Sequence, residues 1–180
     1  VTYGYRSIIY LTEYYPAKEK IMAEEIERKF LVQGEEWRTA TGARYRQGYL
    51  SLDPARTVRV RTVEKPATGE QHGYLTIKGK AVDLSRPEYE YEIPLQDAHE
   101  LLDRLCQRPL IEKIRHRLPV DDVVWEVDEF LGDNAGLVVA EVELTSADQP
   151  FVKPAWVGQE VTDDPRYLNA SLVTLPFTRW

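Results

Sequence analysis

Acids and bases recur at every second position in several separate stretches of this chain. They are Glu25, Glu27 and Lys29; Arg59 and Arg61; Lys78 and Lys80; Glu88, Glu90 and Glu92; Lys113, Arg115 and Arg117; Glu126 and Asp128; and Glu141 and Glu143. Gathered on one surface, carboxylates of this kind offer oxygen donors to a metal ion. The guanidinium and ammonium groups offer a matching grip on an oxyanion, Arg through a two-pronged fork and Lys as a point charge. The chemistry asks for no Ser, Cys or His nucleophile.

Positions i and i+2 share a face only on a β-strand. The residues between the charges are mostly Ile, Val, Tyr, Leu and Trp, so each stretch reads as a strand with one charged and one apolar face. Strands are expected over Glu24–Val32, Arg44–Leu52, Thr57–Val63, Tyr74–Lys78, Pro87–Ile93, Leu110–Leu118, Val123–Phe130 and Leu137–Thr145. Residues 64–73, with Pro66, Gly69 and Gly73, read as a polar hairpin loop. Ala98, Leu101, Leu102 and Leu105 keep a 3.6-residue period after Pro94, which predicts a helix ended by Pro109. A turn and short helix are expected at residues 34–38, and loop with short helix after Thr145. The result is a mainly β (α+β) domain: an eight-stranded antiparallel β-barrel with a few flanking helices. Two closures are open from the residues alone. Either the apolar faces meet inside and the charges are solvated, or the charges line a tunnel and the apolar faces lie outside beneath helices. A buried lumen must be nearly neutral, and the candidate acids and bases, counting Arg86 among the bases, are equally numerous.

At 180 residues the chain suits one domain with a real core. Hydrophobic content of 43% and charged content of 29% are those of a soluble globular protein. The net charge of −7 argues against nucleic acid as a partner. No apolar run reaches the ~20 residues of a membrane helix. A single Cys106 excludes an internal disulfide and fits the cytoplasm; within the expected helix it reads as a packed thiol. Met22 is the only methionine and directly precedes the first patterned strand. Residues 1–21 lack a period and are expected to be a leader or an upstream start, leaving 22–180 as the single domain.

Glu25-Ile26-Glu27-Arg28-Lys29-Phe30 fits the ExExK signature of the CYTH superfamily, the triphosphate tunnel metalloenzymes. The resemblance continues in order through Gln47-Gly48-Tyr49-Leu50, Arg59-Val60-Arg61, Leu75–Lys80, Arg86–Glu90, Glu112–Arg115, Glu126–Phe130, Gly136-Leu137 and Glu141–Leu144. ExExK alone is a weak string; the ordered set is specific. The chain looks most like the compact bacterial stand-alone members that hydrolyse inorganic triphosphate. The resemblance implies the tunnel closure and a requirement for Mg²⁺ or Mn²⁺. It places Glu25, Glu27, Glu141 and Glu143 on the metal. Arg59, Arg61, Lys78, Lys80, Lys113 and Arg115 then hold the substrate, and Lys29, Glu88, Glu90 and Asp128 complete the catalytic wall.

The implied reaction is in-line attack of water on a terminal phosphorus, with pyrophosphate leaving. Other uses of the same tunnel are hydrolysis of nucleoside or thiamine triphosphate, an adenylate cyclase of the class IV type, and a non-catalytic polyphosphate-binding module. No sequence element commits to an adenine pocket, and a homodimer is compatible with the sequence. His116, on the face opposite Arg115 and Arg117, reads as structural. Tyr89 and Tyr91 are expected to pack, and Arg28 to reach an outer salt bridge.

Overall fold

The structure, a computed structural model, describes residues 26–39, 41–80, 87–146 and 148–180. The alternating stretches within these residues form β1 (Ile26–Val32), β2 (Ala43–Ser51), β3 (Arg56–Lys65), β4 (Glu70–Gly79), β5 (Glu88–Ile93), β6 (Ile111–Val120), β7 (Val123–Phe130) and β8 (Val138–Leu144). A short β9 (Val157–Glu160) adds to them, and the helices are α1 (Leu95–Arg104) and α2 (Asn169–Thr174). The strands make one antiparallel sheet in the order β5-β4-β3-β2-β6-β7-β8-β1-β9. Residues 1–21, Glu25 and Arg86 lie outside the described residues.

The sheet curls around its charged face, because side chains from β1, β2, β3, β4, β5, β6 and β8 line one common cavity. Its apolar face points outward and is covered in two places. Over β2, β3 and β4, helix α1 seats Ala98 and Leu102 against Val60, Leu75 and Leu50. Gly73 explains that closeness: a Cβ there would stand 2.7 Å from the Cβ of Ala98. Gly48 plays the same part at the far end of the helix, where a Cβ would come within 2.7 Å of Cys106 and Leu110. The second cover lies over β1, β7 and β8. There Phe30, Trp125, Val127 and Val142 pack with Trp37 and Trp156, the Phe30 and Trp125 rings meeting edge to face at 5.4 Å. His116 packs on the ring of Trp37 in this outer layer, 5.1 Å between centroids.

One end of the curled face is apolar, and α2 fills it. Leu172 and Val173 pack on Tyr49, Ile111, Phe130, Leu137 and Val139. The chain after α2 is fastened by buried Asn134, whose Oδ1 accepts from the Phe177 backbone N–H at 2.8 Å.

Several expectations change. Among the described residues the sheet has nine strands and its hydrogen-bond ladder does not close into a barrel, with β5 and β9 as its two edges. The reason is local: the edge of β1 away from β8 is occupied by β9, through Phe30 opposite Glu160 and Val32 opposite Val157. Arg28 staples the two, its Nε donating to Glu160 at 2.8 Å, which is the outer salt bridge the sequence suggested. The hairpin loop shortens to residues 66–69, because β3 and β4 remain paired as far as Lys65 opposite Glu70. Helix α1 ends at Arg104, ahead of Pro109. Tyr89 and Tyr91 are not buried: they are 45% and 53% exposed, on an edge strand of which Ile93 joins the cluster under α1. Cys106 is buried as expected, and burial pushes its thiol up to about 11, which leaves it unreactive.

Leu172 is fully buried in the apolar end of the lumen, so Leu172→Ala is expected to lower stability by ~2–5 kcal/mol in urea denaturation. A loss below about 1 kcal/mol would show that α2 does not seal that end.

Candidate active site

Cross-strand register assembles the inner face row by row. Tyr49, Arg59, Thr76 and Glu90 stand opposite one another across β2 to β5. Gln47, Arg61 and Tyr74 form the next row, and Thr57, Lys78 and Glu88 the row on the other side. On the opposite wall Arg115 pairs in register with Asp128, Arg117 with Glu126, Glu126 with Glu141, Glu141 with Lys29, and Glu143 with Glu27.

The space inside divides into two chambers. One, of about 340 Å³, is lined by Lys29, Arg59, Arg61, Lys78, Lys113 and Arg115, with Glu27, Glu88, Glu90 and Glu141. Six bases against four acids leave its lining net positive. The other, of about 540 Å³, carries Glu27, Glu126, Glu141, Glu143 and Asp122 with Arg115 and Arg117. Glu27, Arg115 and Glu141 belong to both and form the waist between them.

Arg115 is held from several sides. Its Nε donates to Asp128 at 2.7 Å, and its Nη2 to Asp128 at 2.6 Å and to Glu141 at 2.7 Å; its Nη1 meets Glu126. Burial works against the charge of Arg115, but Asp128, Glu141 and Glu126 outweigh it and raise the pKa well above the ordinary value. Burial pushes the Glu141 carboxyl up; Lys29, Lys113 and Arg115 overcome this and hold it well below the usual range. Lys29 donates to Glu141 at 2.6 Å and also contacts Glu27. Asp128 is wholly buried and spends its oxygens on Arg115 and on Lys113, 2.5 Å away.

The other wall is held more loosely. Arg61 donates to Glu90 at 2.9 Å and Arg59 to Thr76 at 3.1 Å, while Lys78 pairs with Glu88 at 2.7 Å. Yet the Nε of Arg59 and the Nε of Arg61 are buried with no hydrogen-bond partner. Burial, then the neighbouring charge of Arg61, lowers the Arg59 pKa. This wall therefore contains excess positive charge and unused donors.

Of the residues singled out from sequence, Glu27, Lys29, Arg59, Arg61, Lys78, Glu88, Glu90, Lys113, Arg115 and Glu141 come together on one cavity. Glu143 lines the carboxylate chamber, and Asp128 stands behind the cations it binds. Lys80 is not brought in: β4 ends at Gly79 and Lys80 is exposed. The cavity also recruits Tyr45, Gln47, Tyr49, Thr57 and Asn169, which a search for charge passes over. The signal for three of them was available, since 45, 47 and 49 alternate on a single face of β2.

The carboxylates at the waist and beyond are all-oxygen donors, which suits a hard divalent cation. Among the described residues no group of three or more is already drawn together as a metal site; Lys29 and Arg115 hold Glu141, and Arg117 holds Glu126.

An antiparallel sheet curled around an inward-facing set of Arg, Lys and Glu defines a protein built to enclose a polyanion. The CYTH domain profile matches residues 23–174, and the chain belongs to that family. It is 50% identical over 157 residues to an inorganic triphosphatase of Acetivibrio thermocellus, covering 87% of this chain and 97% of that one. It is 37% identical over 152 residues to an inorganic triphosphatase of Nitrosomonas europaea, covering 82% and 95%. The crystal structure of the inorganic triphosphatase NE1496 superposes with a TM-score of 0.57 at 33% identity, over 83% of this chain and 93% of the other.

Burial, then Arg115, pushes the Lys113 ammonium down to about 8. Between pH 8 and the ordinary lysine range the unfolded chain binds more protons than the folded one, so stability rises with pH there. Ligand-free protein is expected to gain about 2 kcal/mol between pH 8 and 10 relative to Lys113→Met, as read by denaturant titration at each pH. Parallel pH profiles for the two proteins would contradict the buried charge.

Proposed function

We propose that the chain is a metal-dependent hydrolase of inorganic triphosphate, releasing phosphate and pyrophosphate. The observation that carries this reading is the net-positive chamber whose buried Arg59 and Arg61 keep unused N–H donors. A buried donor left unmade is costly, and phosphoryl oxygens supply the missing acceptors in the geometry a guanidinium prefers. Triphosphate brings about four to five negative charges near neutral pH. The excess of bases in the lining offsets about two of these, and a divalent cation offsets two more, so the filled lumen approaches neutrality. Both curated relatives carry the name inorganic triphosphatase.

In this reading Arg59, Arg61, Lys78, Lys113 and Arg115 bind and straighten the phosphoryl chain. Glu27, Glu141 and Glu143, with Glu25 two residues before Glu27 in the sequence, would hold Mg²⁺ or Mn²⁺. Once bound, the ion neutralises charge on the phosphoryl oxygens. Lys29 sets the Glu141 carboxylate. Asp128 fixes Lys113 and Arg115, while Glu88 and Glu90 fix Lys78 and the arginines; these carboxylates act through the cations they orient. Water reaches the terminal phosphorus from the carboxylate chamber, through the waist at Glu27. Positioning and preset charge supply most of the acceleration. No helix among the described residues is long and apolar enough to cross a membrane, and a cytoplasmic site of action agrees with a buried free thiol.

Phosphate release from inorganic triphosphate, measured with Mg²⁺ and with Mn²⁺, tests the assignment. Glu27→Ala and Glu141→Ala are expected to lower turnover by at least ~100-fold. Arg59→Ala should lose a similar factor while its ligand-free melting temperature holds or rises, since it removes a charge that burial and Arg61 disfavour. Arg59→Lys should recover little, because an ammonium cannot reproduce the fork. Full turnover in Glu27→Ala and Glu141→Ala would overturn the metal assignment.

A further inference from the structure

Ion pairs hold most of the bases and acids in the lumen, yet one buried neutral side chain there has a donor that meets nothing. Gln47 is 1% exposed, lines the net-positive chamber, and its amide Nε2 has no hydrogen-bond partner. Its backbone is fixed on both sides. Arg61 stands opposite it on β3 and Ile111 opposite it on β6. The next residue, Gly48, presses against Cys106 and Leu110, and the Tyr49 carbonyl accepts from the Gln107 backbone N–H at 2.9 Å. The side chain thus projects from a rigid strand at the boundary between the cations and the apolar end filled by α2.

A strand position facing Ile111 could hold Leu or Met without loss of packing. An unpartnered amide there costs its whole desolvation, and this cost is recovered only when something brings an acceptor. The nearest orphaned donors are the Nε atoms of Arg61 and Arg59, in the same row and the next one along. All three lack the same thing, an oxygen acceptor inside the chamber. Attraction of a polyanion to the cations needs no Gln, but a neutral donor beside them is directional and fixes which oxygen meets which guanidinium.

We propose that Gln47 is a substrate-contacting residue that donates its amide N–H to a phosphoryl oxygen of the bound triphosphate beside Arg61. The proposal rests on the triphosphate reading above and deepens it. It sets Gln47 apart from a packing residue by opposite effects: loss of the amide should weaken the ligand while sparing, or improving, the empty protein.

The test is calorimetric titration of the full chain with inorganic triphosphate in the presence of EDTA, which prevents turnover, together with the ligand-free melting temperature. Gln47→Met should weaken binding about tenfold with the melting temperature unchanged or higher. Gln47→Glu, isosteric and able to accept from the free Nε atoms of Arg59 and Arg61, should stay folded and weaken binding by more than tenfold; it decides the matter if Gln47→Met unfolds. Arg59→Ala is measured alongside. If Arg59→Ala loses binding while Gln47→Met and Gln47→Glu stay within twofold of the parent, the contact is disproved and the triphosphate reading stands. If none of the three changes affinity, the triphosphate reading fails and takes the contact with it. A fall in melting temperature with unchanged affinity would return Gln47 to a packing role.

Discussion

Four carboxylate oxygens close on the Arg115 guanidinium, from Glu126, from both sides of Asp128 and from Glu141. Through these contacts one side chain on β6 ties together β7 and β8, and Lys29 carries the linkage to β1. Removing one partner of a buried ion pair strands the other, a loss of ~3–5 kcal/mol. The charges are therefore obligate neighbours, and the wall that contains them can adopt few other arrangements. The opposite wall, with Arg59, Arg61 and Lys78, has fewer acids per base and keeps donors in reserve. The asymmetry divides labour within the lumen: one wall is set by internal pairing, and the other retains capacity for an anion.

Turning charges inward makes the outside apolar, and that outside must be covered. Helix α1 covers β2 to β4, while the segment around Phe151 and Trp156 covers β1, β7 and β8. The same segment leads into β9, whose pairing with β1 leaves the sheet open at its edges. Outer packing and lumen geometry are thus coupled through β1. Phe30 anchors its outer face while Glu27 and Lys29 occupy its inner one.

Alternation made the fold legible because most strands carry their lumen charges at positions of one parity; β2 is the exception, its Arg44 and Arg46 turning outward to Glu112 and Asp103. It placed β1 to β8 and most of their charged lumen residues without knowledge of which strand neighbours which. It failed where long-range geometry decides. β9 has only four residues and depends on Arg28 meeting Glu160, a partner 132 positions away. Lys80 continues the arithmetic of Lys78, but the strand itself stops at Gly79. Tyr89 and Tyr91 share the parity of Ile93, which packs in the cluster under α1, yet both remain exposed on the edge strand. Gln47, Tyr45 and Thr57 are neutral, so a search for charge passes over them, and the register then sets them beside Arg61, Lys113 and Lys78.

The central claim is that the loosely held wall is built to receive a phosphoryl chain. A crystal structure with a non-hydrolysable triphosphate analogue tests it most directly. The ligand is expected in the net-positive chamber, with its oxygens against Arg59, Arg61, Lys78, Lys113 and Arg115. Density for the analogue in the outer groove lined by Arg108 and Arg179, with the chamber empty, would contradict it.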